Sequence, residues 1–121
     1  PGIMQGMKTY LLQSEDGAKS LGGNSLGAGI QYFGVGPLHS YLHDQKAVTY
    51  TSATDEEILN AYKMIAKYEG ISSALEPMAA AAHLIKIAKD KPKDFLICLS
   101  LCGRGEKDLD TLEQHIGKDF E

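Results

Sequence analysis

The stretch from Thr54 to Gly70, "TDEEILNAYKMIAKYEG", constrains the fold more than any other part of the chain. Thr54 can accept a hydrogen bond at a helix start, and Glu57, three residues on, can return one; this is the capping-box pattern. Asp55, Glu56 and Glu57 set carboxylates at the positive end of the helix dipole. Ile58, Leu59, Tyr62, Ile65 and Ala66 fall on one face at helical spacing, and Gly70 is a natural stop.

Around this helix the pattern alternates. "MKTYLLQ" (Met7 to Gln13), "AVTYTSA" (Ala47 to Ala53) and the run from Phe95 to Leu101 read as strands. "GVGPLHSYLHD" reads as a tight turn and a short helix, with Pro37 near its first position, where proline fits. A further helix is expected from near Pro77 through "MAAAAHLIKIAKD", its alanines allowing close approach to a sheet. A last helix is expected from about Asp108 to Ile116. "SEDGAKSLGGNSLGAG" reads as a loop. Such alternation predicts an α/β fold with some parallel strand pairing.

With 121 residues, one domain is the default. A net charge of −4 without a basic stripe argues against nucleic acid as a partner. The apolar runs are too short to span a membrane, and no secretory signal is recognisable. The two cysteines, Cys98 and Cys102, lie in or beside one predicted strand, where disulfide geometry is poor. A reduced, cytoplasmic setting is the simplest reading.

Chemistry concentrates in "LCGRGEKD", Leu101 to Asp108. A predicted strand empties through two glycines into a helix, and backbone N–H groups at such a start can face an anion or a polar ring atom. Arg104 and Lys107 add positive charge. Spacing alone also fits an ordinary strand–helix turn; it is neither a P-loop nor a dinucleotide fingerprint. The cysteines lack a second pair for zinc. His39 and His43 could share a helix face, but no zinc-protease glutamate lies between them. Glu76, beside Pro77, is explained by a helix start, where a carboxylate is stabilising; an active-site acid or base is the alternative, to which sequence position alone adds little. The residues alone therefore reach an α/β domain with one candidate ligand turn, and no reaction.

Five segments in order, "GMKTYLLQSEDG", "GVGP", "ATDEEILNAY", "EGISSALE" and "GRGEKD", resemble the C-terminal part of the tryptophan synthase β chain over essentially all 121 residues. The resemblance implies a fold-type II pyridoxal-phosphate enzyme, with a small, mostly parallel sheet flanked by helices. It implies joining of L-serine and indole to give L-tryptophan, the cofactor acting as electron sink. The family's "LSGRGDKD" serine, which hydrogen-bonds the pyridine nitrogen, corresponds to Cys102, with Gly103 after it. Glu76 matches a glutamate beside the cofactor, and Gly29 a backbone position near the ring. Tyr32 and Gly34 match carbonyl positions lining a monovalent cation site. Met4 and Gln5 match positions where aromatic residues gate an indole tunnel. Implied partners are the α chain and a second β chain.

Departures from the pattern are specific. Gln31 replaces the aspartate that handles the substrate hydroxyl, "LESSHA" becomes "LEPMAA", and one residue is inserted before Asn24. The family's lysine-bearing "HKxN" segment and "GGGSNA" phosphate loop are missing. The expectation is a C-terminal fragment, residues 1–121, inactive alone, that completes its site with the remaining N-terminal part of the same protein. Two alternatives stand beside it: a diverged fold-type II lyase acting on another amino acid, and a non-catalytic binding module.

Overall fold

The structure is a computed structural model that describes residues 1–17 and 19–117. It divides into two compact units, one of Pro1–Ser25 and Gly29–Thr51, the other of Leu26–Ala28 and Ser52–Glu121.

In the first unit Gln5 and Gly6 take positive φ values of 49° and 77°. A two-residue loop with both φ positive matches the twist of an antiparallel hairpin. It joins β1 (Gly2–Met4) to β2 (Met7–Thr9), with Gly2 opposite Thr9 and Met4 opposite Met7. The strand expected from Met7 to Gln13 therefore ends at Thr9, and β1 is an element the sequence pattern did not announce. Beyond Thr9 the backbone changes partner: Leu12 N donates to Phe33 O at 2.6 Å and Val35 N to Tyr10 O at 3.2 Å. These bonds flank a single antiparallel bridge between Leu11 and Gly34.

Helix α1 (Pro37–Asp44) begins with proline in its first turn, as expected. Its buried Ser40 ties it to the hairpin, and the proton positions follow from the chemistry. Thr9 Oγ1 lies 2.5 Å from Val35 O, a pure acceptor, so Thr9 donates there. Its only proton is then committed, so Ser40 donates to Thr9 Oγ1 at 2.7 Å while accepting from Tyr10 N at 3.1 Å.

The second unit is helical. Helix α2 (Asp55–Glu69) has the complete capping box at Thr54 and Glu57, and it ends at Gly70 in the left-handed conformation, φ 67°. Helix α3 (Leu75–Ala88) and helix α4 (Leu109–Ile116) complete the unit. Ile58, Ala61 and Tyr62 of α2 form one core with Leu75, Met78, Ala81 and Ala82 of α3 and Leu112 and Ile116 of α4. The alanines of α3 thus serve helix–helix packing, where the sequence suggested a sheet. Lys86, near the end of α3, meets Glu57 Oε1 at 2.6 Å, so the capping carboxylate of α2 also clips the two helices together. The Lys86 ammonium first, then the Thr54 amide, hold the Glu57 carboxyl below its ordinary range.

The expected α/β class stands, with four helices and a small sheet, but among the described residues that sheet is two-stranded and antiparallel. The segments expected as strands at 47–53 and 95–101 have no strand assigned. A ladder needs a partner backbone, and no other strand pairs with either one here. The first apolar side chains of the second segment, Phe95, Leu96 and Ile97, are exposed, Leu96 to 94%, while Leu99 and Leu101 are partly buried against the helical core.

Candidate functional site

The second unit gathers the turn "CGRGEKD" and the start of α3. Ser73 and Arg104 form an antiparallel bridge, and Ser73 Oγ donates to Cys102 O at 3.2 Å. Gly103 takes φ 79°, a region L side chains avoid, and a Cβ there would meet Ala74 Cβ at 2.8 Å. A Cβ on Gly105 would lie 2.9 Å from Ser72 O. Both glycines are therefore required by close approach of the turn to residues 72–74. Tyr62 OH, from α2, meets Ser72 Oγ at 3.0 Å and braces that segment from the other side.

Helix α3 starts at Leu75, two residues before Pro77, and Ala74 offers no side-chain cap. The cap comes from Asp108, whose Oδ2 accepts from Leu75 N at 2.9 Å. Asp108 is 4% exposed. Lys107 Nζ lies 2.7 and 2.9 Å from the two Asp108 oxygens. It also lies 3.0 and 2.9 Å from the two Glu76 oxygens. Burial is the largest single influence on the Lys107 ammonium and lowers its pKa. The hydrogen bonds and charges of Asp108 and Glu76 together outweigh it, and the net shift is upward.

The sequence reading gave Lys107 positive charge for a ligand. The structure spends that charge on two carboxylates of the protein itself. Glu76, Cys102 and Gly103 belong to this one unit, and the Cys102 side chain is exposed. Asp108 and Ser73 were missed as site residues because their bonds cross about thirty positions of sequence. The only local signal was the "KD" that closes the turn.

The remaining expected residues belong to the first unit. Gln31 Nε2 donates to Ser25 O at 2.6 Å, and Gly23 N donates to Gln31 O at 2.9 Å. Gln31 thus closes its own loop with an amide donor that an aspartate lacks. Gly29 sits in a 3-10 turn, Ala28–Ile30. Because the bonds flanking the Leu11–Gly34 bridge use Phe33 O and Val35 N, the polar backbone groups of Gly34 turn away from residues 10–12. A Cβ on Gly34 would meet Met4 Sδ at 2.7 Å, and Gln5 Nε2 donates to Tyr32 OH at 3.2 Å. The hairpin tip and the Tyr32–Gly34 segment are therefore neighbours.

His39 and His43 do share a face. Both line a cavity of about 420 Å³ with Tyr10, Val35, Ser40 and Tyr50. His39 Nδ1 lies 3.0 Å from Tyr50 OH, and His43 Nδ1 lies 3.3 Å from Asp44 Oδ1. The Tyr10 hydroxyl, 2.7 Å from the same Asp44 oxygen, is the main cause that lowers the Asp44 pKa, and Asp44 in turn raises that of Tyr10. Among the described residues no group of three or more His, Cys, Asp or Glu could hold a metal ion. No described helix is long and apolar enough to cross a membrane.

Fold and site together define an α/β chain organised around a glycine turn braced on a helix start. No family model matches the chain. It is 48% identical over 120 residues to the tryptophan synthase β chain of Dinoroseobacter shibae, covering 99% of this chain and 29% of that one. The β chain of Roseobacter denitrificans is 48% identical over 117 residues, 97% of this chain and 28% of that one. The β chain of a Jannaschia species is 46% identical over 121 residues, 100% of this chain and 29% of that one. Along its whole length this chain is a homologue of the tryptophan synthase β chain, and it spans somewhat less than a third of the relatives it matches.

Proposed function

We propose that this chain supplies the cofactor-ring and substrate side of a pyridoxal-phosphate-dependent lyase of the tryptophan synthase β type, joining L-serine to indole. The observation that carries the reading is the docking of the Cys102–Gly103 turn onto the residues that introduce Glu76. One brace thereby sets a thiol and a carboxylate in a single unit. Pyridoxal phosphate fits the donor set on this side. The exposed Cys102 thiol can serve the pyridine nitrogen as a weak hydrogen-bonding group, and the Glu76 carboxylate can face the ring edge. The bound cofactor supplies the electron sink.

In this reading Gly103 keeps the turn tight enough for Cys102 to reach the ring, and Gly29 lets backbone approach it. Glu76 holds a fixed negative charge beside the ring, and Gln31 orients the substrate hydroxyl as a neutral hydrogen-bonding group. The carbonyls of Tyr32 and Gly34 contribute to a monovalent cation site. The lysine and the phosphate cradle come from the rest of a longer protein, with which segments 47–53 and 95–101 pair as strands of a mostly parallel sheet. The outward-facing Leu96 supports that pairing. An α chain and a second β chain are the proposed partners, in a cytoplasmic setting.

The test is the longer protein that carries this sequence, loaded with pyridoxal phosphate. Visible cofactor absorbance and formation of tryptophan from serine and indole are expected, whereas these 121 residues alone should give neither. The substitution at Gln31 favours one second reading, a relative working on another amino acid. Turnover of a different amino acid in preference to serine would select it.

A further inference from the structure

We infer that Lys107 is a positioning residue for Glu76, fixing its carboxylate relative to the Cys102–Gly103 turn; this rests on the role proposed above for Glu76. The geometry is a closed circuit. The Leu75 amide donates to Asp108, Asp108 pairs with Lys107, Lys107 pairs with Glu76, and Glu76 follows Leu75 in the chain. One ammonium with three donors is shared among four carboxylate oxygens, all within 3.0 Å. A side chain tied at both ends of such a circuit loses its rotamer freedom. An isolated glutamate in the first turn of a helix keeps that freedom.

Charge makes Lys107 necessary as well as convenient. The carboxylates of Glu76, on α3, and Asp108, on the turn, both lie against its ammonium and so lie near one another. Without the cation between them they repel. The Asp108 side chain is 6% exposed and the Glu76 side chain 20%, so Glu76 has the more room to move. Lys107 therefore sets where the Glu76 charge stands, while the Asp108–Leu75 bond sets where the helix starts. The competing explanation is an ordinary ion pair at the protein surface, which contributes little to stability and would leave the carboxylate's position unimportant.

The experiment uses Lys107→Met, which keeps the aliphatic stem, and Lys107→Arg, which keeps the charge. In this chain, the side-chain carboxyl carbon resonance of Glu76 is followed by NMR alongside thermal unfolding. In the longer cofactor-loaded protein, kcat and KM for serine are measured with indole. Lys107→Met should displace the Glu76 resonance with little change in Tm. It should also lower kcat by on the order of 100-fold with little change in KM, and Lys107→Arg should recover most of both. An unmoved Glu76 resonance, or an unchanged kcat in an otherwise active protein, overturns the inference. So does a kcat loss that arginine does not rescue. A displaced resonance in a protein whose wild type makes no tryptophan overturns the functional reading and leaves the clamp standing.

Discussion

Replacing Asp108 with alanine tests the brace directly. The lost bond is the one from Leu75 N at 2.9 Å, at a residue with no exposed surface. Ala74 cannot substitute, since its side chain has no acceptor. Removing an N-cap acceptor costs about 0.5–2 kcal/mol, and stranding a buried N–H costs about 1–3 kcal/mol. These describe the same bond and do not add, so the expected loss is roughly 2 kcal/mol. For a chain of this size that corresponds to a fall in Tm of about 6–10 °C. Asp108→Asn separates the cap from the charge. Asparagine caps as well as aspartate, so only the pairing with half-exposed Lys107 is lost, at about 0–1 kcal/mol. Urea unfolding followed by circular dichroism gives both values, read from the midpoint at constant m. Hydrogen exchange at the Leu75 amide gives a local check: protection should fall in the alanine variant and persist in the asparagine one. Equal losses for the two variants, or an unchanged Leu75 amide in the alanine variant, would refute the assignment of Asp108 as the cap.

Gly103→Ala and Gly70→Ala form a matched pair, since both glycines have positive φ but only Gly103 has a neighbour within 4 Å. Gly70→Ala should cost about 1–2 kcal/mol from left-handed strain alone and Gly103→Ala measurably more; equal urea midpoints would contradict the close contact with Ala74. Thr9→Val should destabilise by about 1–3 kcal/mol, because it strips the buried Ser40 hydroxyl of its acceptor. A double-mutant cycle with Ser40→Ala should show coupling, and additive losses would dismiss the network. Glu57 has a folded pKa held below its unfolded value of about 4.3. Its contribution is therefore present above that pH and is lost as pH falls through the lower, folded value. Tm measured between about pH 6 and pH 3 should fall less steeply in Lys86→Met than in the wild type, and parallel curves would count against the pair.

The two ends of α2 show what sequence alone determined. Thr54, Glu57 and Gly70 specify that helix through bonds spanning three or four residues, so neighbouring letters contain the whole argument. Pro37 at the start of α1 is legible for the same reason. The glycine turn was legible as a candidate, because Gly103 and Gly105 interrupt an apolar run.

What the turn does was decided by tertiary structure. Leu75 and Asp108 are 33 positions apart, and Glu76 and Lys107 are 31 apart. No local pattern says that a cap for one helix will come from the residue before another. The start of α3, two residues earlier than the proline suggested, follows from that distant carboxylate. Strand character divides in the same way. Phe95 to Leu101 has the composition of a strand, but a ladder is a property of two backbones, and composition specifies only one. Gln31 shows the same limit at a single side chain: the sequence supplies an amide there, and only the fold shows that amide donating to Ser25 O across its own loop.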